Sequence, residues 1–153
     1  MVFDRLVVEL AMILDVIFAA FLGLLIGLER KGGPKGAGSR TFSLICMGAA
    51  VFTVLSINGF PGSVNPERIV SQIVTGVGFI GGGLIWRERD NIIHGITTAA
   101  GVWIAAAVGI SVGLGFYILA FIVTLLTMMI LSRFHPLSEA KSNITRLIVC
   151  ENE

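Results

Sequence analysis

Five long apolar runs, separated by short polar breaks, constrain this chain more than any other feature. They cover about Leu6–Leu28, Thr41–Ile57, Ile69–Trp86, Ile92–Val112 and Leu114–Leu131. At about 1.5 Å of rise per residue, each is long enough, some only just, to cross a hydrocarbon layer of about 30 Å. The runs do not alternate as strands do, and an isolated strand in lipid would leave its backbone groups unpaired. The expected fold is therefore all-α, a polytopic membrane bundle of about five transmembrane helices. Composition agrees: 55% of the 153 residues are hydrophobic and 14% charged, against roughly 25% charged in soluble domains. Too little polar surface remains to coat a water-facing globule.

The breaks carry helix-start chemistry. In "NPER" (65–68), Asn65 is a candidate N-cap, Pro66 fits the first helical position and Glu67 faces the positive end of the helix dipole. Ser39 is a candidate cap for the second helix, and Asp90 or Asn91 for the fourth. "GLG" at 113–115 predicts a short turn and a tight antiparallel pair. Lys and Arg placement sets the expected orientation. Arg30, Lys31, Lys35, Arg40, Arg87, Arg89, Arg133, Lys141 and Arg146 fall on one side, and Arg5 and Arg68 on the other. This predicts an outside N-terminus and a cytoplasmic C-terminus. The N-terminal run lacks the basic start and small-residue cleavage site of a secretory signal. Residues 1–133 form the expected transmembrane domain. Residues 134–153 form a polar tail whose short apolar run, Leu147–Cys150, reads as one strand, too little for a domain.

The segment "TGVGFIGGGLIW" (75–86) fits G-x-G-x-x-G, the pattern of a dinucleotide-binding turn. That pattern needs a preceding strand and an acidic residue about 20 positions later. Here the glycines lie inside an apolar run, and no Asp or Glu occurs between Asn91 and Ser138. No nucleotide is expected. With a net charge of +1, nucleic acid is not expected either. Glycine has another use in lipid, where small residues let helix backbones approach. Gly78 and Gly82 share a face, as do Ala19, Gly23 and Gly27, and Gly101, Ala105, Gly109 and Gly113. Gly76, Gly81 and Gly83 complete the third span's set. Each costs roughly 1 kcal/mol against Ala in a helix. The third span is thus either a packing helix or one kinked or unwound at a binding site, as in some transporters.

Few polar residues enter the runs. Asp15 either faces the interior with a partner, or lies near the outer surface on a shifted first helix. A carboxylate at the membrane centre costs about 2.5–3.5 kcal/mol on insertion scales. Arg68 and Gln72 share a face with Thr75 and Phe79, and Arg68 either snorkels outward or pairs with Asp15 or Glu67. Glu29 and Arg40 flank the Gly-rich inner loop and form either a brace or two independent charges. Thr97 and Thr98 open the fourth span, where hydroxyls commonly bond their own backbone. Trp86 and Trp103 are candidate anchors or core aromatics. Cys46 reads as a small packing residue. Cys150 lies in the tail, and His94 and His135 have no second ligand at metal spacing. Asp15 is the one weak candidate for a metal. No nucleophile elbow or catalytic triad is visible, so an enzyme is not expected.

"GLLIGLERK" (23–31), "AGSRTF" (37–42), "NPERIVSQIVTGVGFIGGGLIW" (65–86) and "GITTAAGVWIAAAVGI" (95–110) together resemble the MgtC/SapB family of bacterial membrane proteins. The match covers roughly residues 20–120. The family's usual "GFLGAG" and "AGLRT" read here as Gly78–Gly83 and "AGSRT". The resemblance implies an inner-membrane bundle linked to magnesium homeostasis, with some members supporting pathogen survival inside macrophages, a virulence role. The positions carried over by motif are Glu29, Arg30, Arg40, Thr41, Asn65, Arg68, Gln72, Thr97, Thr98 and Trp103. Longer members append a cytoplasmic small-ligand-type domain, whose first strand would begin near Leu147–Cys150. Two expectations follow. One is an interaction protein in the lipid bilayer that regulates another membrane protein; a homodimer is a separate possibility, from the exposed small-residue faces. The other is a transporter or channel for Mg²⁺ or another small ion. No cofactor is expected beyond Mg²⁺ as a transported or sensed ion.

Overall fold

The computed structural model describes residues 2–29, 37–59, 65, 67–88 and 92–132. Five helices follow the order of the apolar runs: α1 (Val2–Leu28), α2 (Ser39–Asn58), α3 (Glu67–Gly83), α4 (Ile96–Gly113) and α5 (Tyr117–Ser132). The fold is an all-α bundle. Three helices, α1 from Arg5 onward, α2 and α4, are long and apolar enough to cross a membrane; α5 is apolar but has 16 residues. At 17 residues, α3 is about 25 Å long.

The centre of the bundle is α2, wedged between α1 and α4. Glycine makes the wedge. A Cβ on Gly23 would fall 2.6 Å from the Phe42 carbonyl oxygen and 2.7 Å from the Cys46 Cβ. From α4, one on Gly109 would overlap the Cys46 carbonyl, and one on Gly113 would fall 2.7 Å from the Thr53 Cβ. Gly27 leaves room for the Ser39 backbone, and Gly101 for the ring of Phe42. The Ser43 hydroxyl adds an interhelical bond, donating to the Ala20 carbonyl at 2.8 Å. Leu22, Ile26, Phe42, Cys46, Val102, Val108 and Val112 fill the core between these contacts. Lipid tails are as apolar as these side chains, so close van der Waals packing rather than the hydrophobic effect favours the contacts. Buried hydroxyls bond their own helices: Thr53 to the Ala49 carbonyl, Thr124 to Ala120 and Thr127 to Val123, at 2.7–2.8 Å.

The second helix is not capped by Ser39. Gly38 holds the N-cap without a side-chain hydrogen bond, and Ser39 is the first helical residue. The spans expected over Ile69–Trp86 and Ile92–Val112 also differ in their facing ends. α3 stops at Gly83, where the N–H groups of Leu84 and Ile85 turn back to the carbonyls of Gly81 and Gly82. The chain then forms a two-stranded antiparallel hairpin, β1 (Trp86–Arg87) and β2 (Ile93–His94), pairing Trp86 with His94 and Arg87 with Ile93. α4 is capped by Gly95 at φ +91°, so its cap is not at Asp90 or Asn91. A Cβ at Gly95 would strike the Leu84 carbonyl, so glycine is required there both for its conformation and for space. Short apolar stretches beside a helix cannot be told from strands by periodicity.

The α4–α5 connection is the short turn expected. The Phe116 N–H bonds the Ser111 carbonyl, and the Gly115 N–H bonds that of Val112, both at 2.8 Å. With Gly115 at φ +80°, this is a Schellman motif. It satisfies backbone groups in a turn that has no charged side chain.

Candidate functional site

Asp15 and Arg68 do not meet. α1 packs chiefly on α2, α4 and α5, whereas α3 packs on α2 and α4. The partner of Asp15 is Tyr117, whose hydroxyl donates to Asp15 Oδ1 at 2.7 Å. Tyr117 also stands edge-on to Phe18, with centroids 6.1 Å apart. Ala11, Leu14, Asp15, Phe18 and Tyr117 line a shallow cavity of about 370 Å³. Because Tyr117 is the first residue of α5, Asp15 lies level with the α4–α5 turn, at the edge of the bundle. Asp15 thus has a partner, as one sequence reading expected, although that partner is Tyr117 and not Arg68. The thirteen residues from Val2 to Leu14 extend about 20 Å farther, and Leu6, Leu10 and Ile13 there are exposed.

The larger concavity runs between α2 and α3, with a volume of about 590 Å³. Its walls are Thr41, Leu44, Ile45, Gly48, Ala49 and Phe52 from α2, and Ile69, Gln72, Ile73, Gly76, Val77 and Ile80 from α3. Three sequence candidates, Thr41, Gln72 and Gly76, therefore gather here. Arg68 is exposed one turn before Gln72 on the same face of α3, next to the lining residue Ile69 but not itself part of the lining. Neither Gly48 nor Gly76 meets any atom where a Cβ would be, so each leaves open space.

The α3 glycines depart from the expected packing. Gly81 makes an ordinary contact with Ala99, but Gly76, Gly78, Gly82 and Gly83 face nothing within 4 Å. Beside them Phe79 is 86% exposed. Nor is α3 unwound there, since it is helical from Glu67 through Gly83.

The remaining candidates are dispersed. Glu29 and Arg40 are exposed and, among the described residues, form no ion pair with each other. Arg68 likewise has no ion pair with Asp15 or Glu67. Asn65 is exposed, and its carbonyl accepts from the Arg68 N–H at 3.3 Å. Thr97 is exposed, Thr98 buried, and Trp103 half exposed. Trp86 stacks on His94 at 5.5 Å. His94 Nε2 lies 3.1 Å from a Glu88 carboxylate oxygen, outside hydrogen-bond geometry. Arg30, Pro66, Asp90, Asn91 and the 134–153 tail lie outside the described residues. Among the described residues no three His, Cys, Asp or Glu side chains come together to hold a metal ion; Asp15 has no acidic companion there.

Sequence reasoning missed Tyr117, Gly48 and Phe52. Tyr117 carried a signal, as the only tyrosine in the chain, placed just after the "GLG" turn.

The model of the MgtC family matches residues 16–140. The chain is 43% identical over 133 residues to the "Putative magnesium transporter YhiD" of Escherichia coli K12, covering 82% of this chain and 61% of that protein. It is 47% identical over 103 residues to "Protein MgtC" of Salmonella typhimurium LT2, covering 67% and 43%. To "Protein SapB" of Bacillus subtilis 168 it is 40% identical over 125 residues, covering 77% and 53%. It thus spans roughly half the length of these relatives. No solved structure matches it significantly. With its helices of membrane-crossing length, the chain is a membrane protein and belongs to the MgtC family.

Proposed function

We propose that this chain is a multi-pass protein of the bacterial inner membrane, N-terminus outside, that serves magnesium homeostasis by regulating another membrane protein through α3. One contrast carries the reading. On α1 and α4, glycines at spacing four are closed against α2, whereas on α3 Gly78 and Gly82 are open beside an exposed Phe79. In lipid a small-residue face is where a second helix approaches. The test is photo-crosslinking from position 79 of the tagged full chain in native membranes. A defined membrane-protein adduct, weakened severalfold by Gly78→Leu or Gly82→Leu, is expected. Adducts to lipid alone would overturn the reading. An adduct to a second copy would replace it with a homodimer.

A transporter of Mg²⁺ or another small ion is the second reading. Its support is the cavity beside Asp15 and the printed name of the Escherichia coli relative. Mg²⁺ sheds water reluctantly and favours several oxygen ligands, and Asp15 with Tyr117 offers few. Purified protein in liposomes that passes Mg²⁺, with flux altered by Asp15→Asn, would favour this reading. Flux no greater than that of empty liposomes, from folded protein, would remove it.

A further inference from the structure

We propose that the α2–α3 groove is a binding site for an anionic phospholipid, with one acyl chain along the groove and the phosphate on Arg68. This goes beyond the partner-docking reading, uses a different face of α3, and stands if that reading fails.

The chemistry of the groove selects the occupant, with walls that are apolar apart from Thr41 and Gln72. From Thr41 to Phe52 it runs about 17 Å along α2, with a volume of about 590 Å³. A hydrocarbon chain fits between the walls. Gly48 and Gly76 keep the slot open, since neither places a side chain in it.

The order of chemistry along α3 matches the order along a phospholipid. Arg68, next to the lining residue Ile69, is a cation, and no described carboxylate pairs with it. Gln72 follows one turn deeper with an amide that donates and accepts, at the depth of the ester carbonyls. Ile73, Gly76 and Ile80 continue the wall with apolar or absent side chains. A guanidinium presents a planar fork to phosphate oxygens, so the site prefers an anionic headgroup without a compensating cation to a zwitterionic one.

Native mass spectrometry of the detergent-purified full chain tests this, with equal phosphatidylglycerol and phosphatidylcholine supplied. The wild type should retain phosphatidylglycerol at least fivefold over phosphatidylcholine. Arg68→Gln should bring that preference close to one, and Arg68→Lys should restore part of it. Gly76→Leu should cut retention of both lipids at least fivefold, since its Cβ enters open space, and Gly48→Leu provides an independent slot-filling variant. Helix content by circular dichroism should match the wild type in each. Equal retention of the two lipids by wild type, a preference unchanged by Arg68→Gln, or undiminished lipid in both slot-filling variants would overturn the proposal. So would a second protein chain occupying the groove in place of lipid.

Discussion

The Tyr117 hydroxyl donates to Asp15 Oδ1 at 2.7 Å, joining two residues 102 positions apart and tying the start of α5 to the middle of α1. The bond gives the deepest acidic side chain of α1 a partner and fixes its depth. Both residues are partly exposed, which moderates what either loss costs. Tyr117→Phe should lower stability by roughly 1 kcal/mol. A double-mutant cycle with Asp15→Asn, read by unfolding in detergent, should show coupling; additive losses would mean that the bond does not form in solution.

The two glycine populations should respond in opposite ways. Gly109→Val or Gly23→Val must push α2 aside and should destabilise by several kcal/mol, or stop the protein accumulating. Gly78→Ala and Gly82→Ala meet no neighbour and should stabilise the isolated chain by up to about 1 kcal/mol, from helix propensity alone. Midpoints of unfolding for the four variants check this, and equal losses across the set would contradict the wedge.

Two glycines at positive φ differ in what surrounds them. Gly95→Ala meets both an unfavourable conformation and the Leu84 carbonyl, whereas Gly115→Ala meets only the conformation. The second should cost about 1 kcal/mol and the first clearly more. Tryptophan emission from Trp86, which stacks on His94 beside Gly95, should change with Gly95→Ala and not with Gly115→Ala.

Orientation is open to a labelling experiment. In a background with Cys46→Ala and Cys150→Ser, single cysteines at Asn65 or Glu67 should react with an impermeant thiol reagent added to intact cells. Cysteines at Glu29, Arg40 or Arg87 should react only after the membrane is opened. The reverse pattern would invert the topology expected from the Lys and Arg asymmetry.

Helix number, order and the α4–α5 turn were legible because apolar length and a Gly-rich break are local signals. The use of Gly23, Gly101 and Gly109 was legible from spacing four, which puts small residues on one face. Spacing does not say whether a face has a partner, so Gly78 and Gly82 read the same way although they stay open. The hairpin at Trp86–His94 was lost inside apolar runs whose ends had no marker except Gly95. The Asp15–Tyr117 pair depends on how far α1 slides along the bundle, a long-range quantity that no window of sequence records. Gathering Thr41, Gln72 and Gly76 in one groove likewise needs the register of α2 against α3.

The wedged position of α2 also bears on how the molecule is built. Its α1-facing surface finds its match in Gly23 and Gly27, which leave the ribosome earlier, so those two rods can seat against each other at once. Its α4-facing surface waits for Gly109 and Gly113, synthesised more than fifty residues later. The core is therefore complete only once α4 has packed on both α1 and α2.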